Sequence, residues 1–465
     1  MPPFFLICYP LTISPILLPR RLAVLRFFDS TVALLASQIL SLLAAFAINL
    51  AISRTLGDTG KGLVTMLVYV PSVLFSISHL GMGAAMQYFV SRNDGSPRVH
   101  LSNALVFPLL TSALVIGVFC IGYNFWKPLV NNLPLGTMAV ALIAVPLMII
   151  YELCSQQLVA HGHIMQKSVS DVVQTYAGLI AIVIVLLLPG RSAQRVFAGY
   201  VFGWGMGALL NLYYSTRIVG LPTTPSWKLF TKSFRYGVWI YVNSAFTYLL
   251  TRADFFILVA LQSSIGLGGV YSVAAGLTMP LIIVPYAVQT VFFPRASAQS
   301  DEDANRSTPF YFRQLVLVMT SLAVLAAILS HPVLLLFGGS FVAGQVPMLI
   351  LLVATILRGT GGILSVHVLG RGRSGVMTSV TAVTLAVALL LNYLLIPPLG
   401  MIGAALATTG AYAAQNILLL FIFRTVAGGE IRQLFAFSRN DIITLLREGK
   451  AFLSRLRERY RPSSN

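Results

Sequence analysis

The chain has 465 residues, of which 57% are hydrophobic and only 9% are charged. This composition, with a mean hydropathy of +0.85, lies outside the range of soluble globular proteins and indicates an integral membrane protein. The net charge of +18 does not indicate nucleic-acid binding, because the basic residues are spread between apolar segments instead of forming one patch.

The first 25 residues are not predicted to form a membrane span. They are apolar but interrupted by prolines, and their arginines follow the apolar run, which is the reverse of a secretory signal. We interpret residues 1–25 as a non-spanning N-terminal extension.

Twelve apolar stretches follow, and each is long enough to cross a bilayer as a helix. A span needs about 20 residues, because its backbone hydrogen bonds must all be satisfied within the segment. The predicted spans are 30–51, 63–89, 101–123, 137–160, 169–188, 196–216, 237–261, 270–293, 314–336, 346–368, 376–396 and 401–423. The predicted fold class is therefore an all-α polytopic membrane protein.

The polar segments between the spans divide the chain. A linker with prolines and lysines at 219–235 separates a first half, 26–218, from a second half, 236–424, and a basic amphipathic tail occupies 425–465. With a cytoplasmic N-terminus, most of the 31 Lys and Arg residues fall in inner loops and in the tail, as the positive-inside rule requires. We therefore predict that both termini are cytoplasmic and that the tail lies on the anionic inner leaflet.

The two halves read as copies of each other. Gly62 and Gly269 open the second and eighth spans at an offset of 207 residues, and Glu152 and Arg358 occupy equivalent depths in the fourth and tenth spans at an offset of 206. Because each half has an even number of spans, a pseudo-two-fold axis along the membrane normal would relate the copies. This arrangement is typical of transporters.

Four charged residues fall at mid-depth within the predicted spans: Glu152, Arg252, Asp254 and Arg358. A charge at this depth costs at least about 3 kcal/mol, so such residues normally face a water-filled cavity or a partner. We interpret them as markers of the functional site. The three cysteines form no Cys/His cluster, so neither a metal site nor a disulfide framework is predicted.

Five local motifs, taken in order, resemble those of one transporter superfamily. They are RTLGDTGKG at 54–62, LGMGAA at 80–85, RADFFI at 252–257, GLGGVYSVAA at 266–275 and IPPLGMIGAALAT at 396–408. The set is similar to the multidrug, oligosaccharidyl-lipid and polysaccharide exporter superfamily, and specifically to its polysaccharide-transporter branch, the O-antigen and exopolysaccharide flippases. The resemblance covers residues 26–424.

This resemblance implies a MATE-like fold, with twelve helices in two six-helix lobes that open alternately to the two membrane faces around a central cavity. It implies a transporter, not an enzyme, in the bacterial cytoplasmic (inner) membrane, with no bound cofactor. The implied substrate is an oligosaccharide repeat unit on a polyprenyl diphosphate, moved from the inner to the outer leaflet for O-antigen, capsule or exopolysaccharide assembly. The implied partners are this lipid-linked oligosaccharide, membrane lipids, a polysaccharide polymerase and chain-length proteins.

Arginine suits a diphosphate, because its planar fork donates charge-assisted hydrogen bonds and stays protonated when it is partly desolvated. Arg252 and Arg358 are the predicted headgroup contacts, and Asp254 and Arg54 are further candidates for substrate binding. Two alternatives stay open: a salt bridge of Arg358 with Glu152, or one of Arg252 with Asp254. Positions two apart on a helix point about 200° apart, so Arg252 and Asp254 cannot both face a cavity.

Coupling or gating has two candidate residues. Glu152 could take up a coupling proton, and His79, within the second span, is the other candidate. Pro280 and Pro285 in the eighth span form the predicted hinge, because proline interrupts the hydrogen bonds of a helix.

Two other functions fit part of the pattern. An ion-coupled multidrug antiporter of the same superfamily would use buried acids, for which Asp58, Glu152 and Asp254 are available. A membrane glycosyltransferase or polymerase of the same pathway would need a large outer loop or a catalytic acidic motif, and the acidic cluster at 301–303 lies in a short inner loop. The balance of charges favours an anionic substrate, and hence the flippase.

Overall fold

The computed structural model describes residues 20–92, 94–425 and 428–438, together with 441, 443 and 447. The regular structure of these residues is entirely helical, which confirms the predicted all-α class. The helices are α1 Arg20–Ser78, α2 Met82–Ser91, α3 Pro97–Ile121, α4 Tyr123–Trp126, α5 Leu135–Leu142, α6 Ala144–Ala160, α7 Ile164–Leu187, α8 Ala193–Val219, α9 Trp227–Leu250, α10 Ala253–Gln262, α11 Ile265–Thr278, α12 Ile283–Ala298, α13 Asp301–Phe337, α14 Gln345–Gly370, α15 Ser374–Thr425 and α16 Ile431–Leu434.

Ten helical segments of the described chain are long and apolar enough to cross a membrane. Their length and hydropathy make the protein a multi-pass membrane protein, because no other structure satisfies the backbone polar groups of so many apolar segments in lipid. Large apolar side chains on their outer faces are exposed, as lipid-facing residues should be; Leu110, Leu114 and Ile328 are examples.

The longest two of these segments, α1 and α15, fold back on themselves. Gly57 interrupts α1 with φ 67° and ψ −169°, and Lys61 Nζ then donates a hydrogen bond to Asn49 Oδ1 at 2.6 Å. In a straight helix the backbones of these two residues would be about 18 Å apart. Gly400 interrupts α15 with φ 54° and ψ −127°, and a Cβ atom on Gly403 would lie only 2.0 Å from the carbonyl oxygen of Leu395. Each segment is therefore a helical hairpin.

Three of the predicted spans are interrupted in the structure. The second span breaks between α1 and α2, where Leu80 and Gly81 have φ of 52° and 67°. The seventh span breaks at Arg252, between α9 and α10. In the eighth span, the 3₁₀ turn Met279–Ile282 contains Pro280, and Pro285 lies in the first turn of α12. Proline accounts for the last break, because it cannot donate a backbone hydrogen bond.

The two halves of the chain meet in a close contact between α1 and α11, which we call the glycine seam (Asp58, Gly62, Ile265 and Gly269). A Cβ atom on Gly62 would lie 2.0 Å from the carbonyl oxygen of Ile265, and one on Gly269 would lie 2.0 Å from that of Asp58. The contact is reciprocal, because Asp58 and Ile265 are separated by the same 207 residues as Gly62 and Gly269.

A hydrogen bond continues the glycine seam. Thr65 Oγ1 and Ser272 Oγ lie 3.1 Å apart, and these residues too are 207 positions apart. Residues that the sequence pattern treats as equivalent therefore touch each other directly.

The ends of the chain are described only in part. Of the predicted extension 1–25, residues 1–19 lie outside the described residues, as does most of the predicted tail helix 425–465. The described part of the tail packs on α13, where Leu434 is fully buried and Arg313 Nε donates to Asp441 Oδ2 at 3.0 Å. The linker predicted at 219–235 contains the start of α9 at Trp227.

Substitution of a seam glycine should destabilise the protein. We expect Gly269→Ala to lower the free energy of unfolding by about 1–3 kcal/mol, because the new methyl group forces two backbones apart. Chemical denaturation in detergent would measure this change. Gly117→Ala in α3 is the matched control, because no atom lies within 4 Å of its Cβ position; equal stability of the two variants would contradict the close contact.

Candidate functional site

Arg252 lies where the seventh span breaks. The residue precedes α10 with φ −131° and ψ −19°, and its side chain is half-buried. Its guanidinium carbon lies 4.1 Å from the centroid of the Tyr69 ring, on the other half of the chain, and 5.9 Å from that of Tyr248. Among the described residues, no group accepts a hydrogen bond from its buried Nε atom.

Arg358 lies inside α14 in a similar environment. Its guanidinium carbon is 5.9 Å from the centroid of the Tyr412 ring, and the side chain of Tyr286 interacts with the same guanidinium. The charges of Arg358 and Arg252 are close enough to interact with each other. The structure therefore places the two predicted headgroup contacts near each other, each against tyrosines. We call Arg252, Arg358, Tyr69, Tyr248, Tyr286 and Tyr412 the arginine–tyrosine cluster.

Asp254 is hydrogen-bonded within the second half of the chain, although its charge acts on Arg252 and on Tyr69 and Tyr412 of the cluster. Its Oδ2 atom accepts hydrogen bonds from Tyr271 Oη at 2.6 Å and Thr408 Oγ1 at 3.2 Å. Its Oδ1 atom accepts one from the backbone N–H of Phe255 at 2.8 Å. The carboxylate is 8% exposed and is satisfied within its own half, so its geometry suits a structural role more than substrate contact.

The structure forms neither of the two salt bridges that the sequence leaves open, Arg358 with Glu152 and Arg252 with Asp254. In the described part of the chain, the ion pairs join Lys167 to Asp171, Lys232 to Asp94, Arg306 to Glu302 and Arg313 to Asp441. Arg252 and Arg358 are absent from these pairs, so two cations share the cluster without a carboxylate in contact. A tyrosine face offsets only about 0.5–2 kcal/mol of the cost of a buried cation.

Glu152 and His79 line one cavity of about 70 Å³ between the two halves. Its other polar lining residues are Gln87, Gln156, Tyr241 and Ser244, the last two from α9. We call it the amide cavity. Gln87 Nε2 donates to Gln156 Oε1, and Gln156 Nε2 donates to Glu152 Oε1 at 2.6 Å.

The break before α2 shapes this cavity. His79 Nδ1 accepts a hydrogen bond from the backbone N–H of Gly81 at 3.0 Å, so Nε2 carries the proton in a neutral ring. A Cβ atom on Gly81 would lie 2.8 Å from the carbonyl oxygen of Gly237 in α9. Glycine is required here because the backbone has positive φ and another backbone approaches closely.

Arg54 does not join either group in the structure. It is exposed, and its guanidinium donates to the carbonyl oxygens of Leu336 and Leu335 at the end of α13. A cation at a helix C-terminus satisfies free carbonyl groups and complements the helix dipole. This contact agrees with an anchoring role for Arg54, and its substrate-binding role stays a prediction.

Several residues of the site have no clear signal in the sequence. The four tyrosines of the cluster are ordinary apolar-span residues in the sequence pattern, and only their contacts with arginine distinguish them. Asp171, near the N-terminal end of the fifth span, accepts a hydrogen bond from Tyr151 Oη at 2.6 Å and forms an ion pair with Lys167. Both Lys167 and Asp171 act electrostatically on Glu152. Among the described residues, no group of three His, Cys, Asp or Glu could hold a metal ion.

The contact between Arg252 and Tyr69 can be tested by a pair of variants. We expect Tyr69→Leu to be less stable than Tyr69→Phe by about 1–2 kcal/mol, because phenylalanine keeps the ring face that the guanidinium contacts. The free energy of unfolding of both purified variants would measure the difference. Equal stability of the two would show that the ring face does not stabilise the cation.

Comparison with known proteins gives matches over most of the chain. The family described as "Polysaccharide biosynthesis protein" matches residues 27–300. The "Probable low-salt glycan biosynthesis flippase Agl15" of Haloferax volcanii is 22% identical over 386 residues, which are 79% of this chain and 77% of that protein.

Solved structures share the fold. An inward-facing multidrug resistance MATE family transporter of the MOP superfamily has a TM-score of 0.69 at 14% identity, over 83% of this chain and 94% of that one. The lipid II flippase MurJ in an inward closed conformation has a TM-score of 0.65 at 15% identity, over 90% and 92% of the two chains. A MOP superfamily transporter from Pyrococcus furiosus has 0.63 at 14%, over 87% and 95%.

Proposed function

Because the chain belongs to the polysaccharide biosynthesis protein family and has the fold of MOP superfamily transporters, we propose that it is a flippase for a polyprenyl-diphosphate-linked oligosaccharide. It moves one repeat unit from the inner to the outer leaflet of the bacterial cytoplasmic membrane, for O-antigen, capsule or exopolysaccharide assembly. The glycan and diphosphate cross inside the protein while the lipid tail stays in the bilayer. A polysaccharide polymerase and chain-length proteins would act on the product.

The observation that carries this proposal is the arginine–tyrosine cluster. Two half-buried guanidiniums lie close together without an acidic partner in contact. An anion that reaches them gains charge-assisted, bidentate hydrogen bonds and removes their mutual repulsion. A diphosphate supplies two linked anionic groups, one for each arginine. Tyrosine hydroxyl groups can add neutral hydrogen bonds to the same ligand.

The proposal includes a twelve-helix arrangement in two six-helix lobes. Ten membrane-long segments, two of them hairpins, supply twelve helical arms. The reciprocal glycine seam supports a pseudo-two-fold axis that passes between α1 and α11. The distribution of basic residues favours cytoplasmic termini.

Transport would proceed by alternating access, in which the lobes rock about their interface. Pro280 lies within the 3₁₀ turn that interrupts the eighth span and Pro285 lies just after it, and we propose that the helix bends there. Glu152 and His79 share the amide cavity between the halves, and we propose them as the coupling or gating pair. Because Glu152 keeps one oxygen atom on Gln156, its second oxygen is available to a proton or to substrate.

A multidrug antiporter is the second candidate function. The observation in its favour is the carboxylate of Glu152 in a cavity that also has the aromatic residues Phe75 and Tyr241 in its wall. Such a site could take up an organic cation. The arginine–tyrosine cluster argues against this substrate, because a cation would be repelled by Arg252 and Arg358.

Flipping in proteoliposomes tests the proposed function. We expect leaflet-resolved movement of a polyprenyl-diphosphate oligosaccharide, and loss of that movement to background in Arg252→Ala and in Arg358→Ala. Arg358→Lys should recover only part of the movement, because an ammonium group is a point charge and cannot form the bidentate contact. Imposing a proton or sodium gradient in turn would show whether transport is coupled to an ion.

Two controls accompany this experiment. Arg306→Ala should transport normally, because Arg306 pairs with Glu302 where both side chains are largely exposed. A cationic dye tests the second candidate: dye extrusion without movement of the lipid-linked sugar would refute the flippase. Full flipping by both alanine variants would remove the arginines from the site.

A further inference from the structure

We propose that the amide cavity is a separate glycan subsite, which binds the hydroxyl or acetamido edge of one sugar ring while the arginine–tyrosine cluster binds the diphosphate. This inference rests on the proposed function, and it assigns to Gln87 and Gln156 a role in sugar recognition. Four observations lead to it: the hydrogen-bonding capacity of the cavity, its charge, its walls and its distance from the cluster.

The side-chain amides of the cavity keep unused hydrogen-bond donors and acceptors. The chain of hydrogen bonds from Gln87 through Gln156 to Glu152 uses one N–H of each amide, one amide oxygen and one carboxylate oxygen. Within the described part of the chain, four polar groups form no hydrogen bond to another side chain: the second N–H of each amide, Gln87 Oε1 and Glu152 Oε2. Donors and acceptors thus lie side by side, which is what a sugar hydroxyl needs, because it both donates and accepts.

The charge of the cavity excludes the phosphate end of the substrate. Its lining has the carboxylate of Glu152 and neither Lys nor Arg. Lys167, the cation that acts on Glu152 from nearby, is paired with Asp171. A diphosphate would be repelled here, whereas a neutral polyhydroxyl group would not.

The walls of the cavity give it a fixed shape. The ring of Tyr241 stands nearly perpendicular to that of His79, with centroids 5.4 Å apart, and its hydroxyl donates to the carbonyl oxygen of Ile77 at 2.5 Å. Gly83 gives the Gln156 side chain room, because a Cβ there would lie 3.1 Å from Gln156 Cγ. A volume of about 70 Å³ is well below the roughly 300–1,000 Å³ of typical small-molecule pockets, so the cavity accepts one edge of a ring and not a whole repeat unit.

The helix α9 connects the two subsites. Tyr241 and Ser244 line the amide cavity, whereas Tyr248 and Arg252 lie at the cluster. Tyr241, Ser244 and Tyr248 follow at intervals of three or four positions, so they share one face of α9, and Arg252 lies just beyond the last residue of this helix, Leu250. Ser244 and Leu250 are six residues apart, which corresponds to about 9 Å along the helix axis. This distance is on the scale of a short oligosaccharide attached to a diphosphate.

The test compares two probes on the full-length protein in lipid nanodiscs. One probe is a polyprenyl diphosphate that carries a single N-acetylhexosamine, and the other is the same lipid without sugar. We expect Gln156→Leu to raise the dissociation constant of the sugar-bearing probe about tenfold, the effect of about one lost hydrogen bond, and to leave that of the bare probe unchanged. Gln87→Leu should act in the same selective way.

Controls keep this test decisive. Gln299→Leu, on an exposed loop residue, should change neither dissociation constant. If Gln156→Leu fails to fold, Gln87→Leu decides the question, because it leaves the bond between Gln156 and Glu152 intact. An equal effect on both probes, or no effect on the sugar-bearing probe, would overturn the glycan subsite.

Failure of the proposed function would look different. Arg252→Ala and Arg358→Ala should weaken the binding of both probes, because both carry the diphosphate. If these variants bind both probes normally while the glutamine variants remain selective, the diphosphate site is wrong and the glycan subsite stands.

Discussion

The electrostatic cost of two guanidiniums inside a membrane protein governs how the rest of the site is built. A charge inside an apolar segment costs at least about 3 kcal/mol, and a tyrosine face offsets about 0.5 to 2 kcal/mol of this, or more when the pair is desolvated. Asp254, the nearest carboxylate in sequence, is hydrogen-bonded to Tyr271 and Thr408, and it acts on Arg252 through space without an ion pair in contact. The protein thus keeps a positive site incompletely compensated, and the break before α10 places Arg252 at the centre of it.

The sequence predicts those parts of the structure that depend on local composition. Apolar length identifies the membrane helices, and a charge inside an apolar segment makes Arg252 and Arg358 candidates for the site, because both signals act within a single segment. The break at Gly81 is not predictable in this way, since its positive φ is fixed by contact with Gly237, which is distant in sequence. The role of Tyr69 cannot be predicted from the sequence either, because a tyrosine in an apolar span can pack in many ways. Only the fold shows that its ring contacts Arg252.

The fourth and tenth spans carry different chemistry. Glu152 and Arg358 lie 206 residues apart, yet Glu152 belongs to a chain of amides and Arg358 to a group of phenols. A lipid-linked oligosaccharide is itself unsymmetrical, with an anionic end and a polyhydroxyl end. On the proposed function, this difference gives each end of the substrate its own chemical surroundings.

The glycine seam has a kinetic consequence. Backbone atoms of Gly62 and Gly269 meet carbonyl oxygens directly, and the buried side chain of Ile265 packs in a hydrophobic cluster made mainly of first-half residues. Separation of the two backbones would forfeit short-range attraction and weak Cα–H···O contacts and would expose this apolar side chain. We infer that bulkier residues in place of the glycines would hold the two backbones apart and change the rate of exchange between conformations.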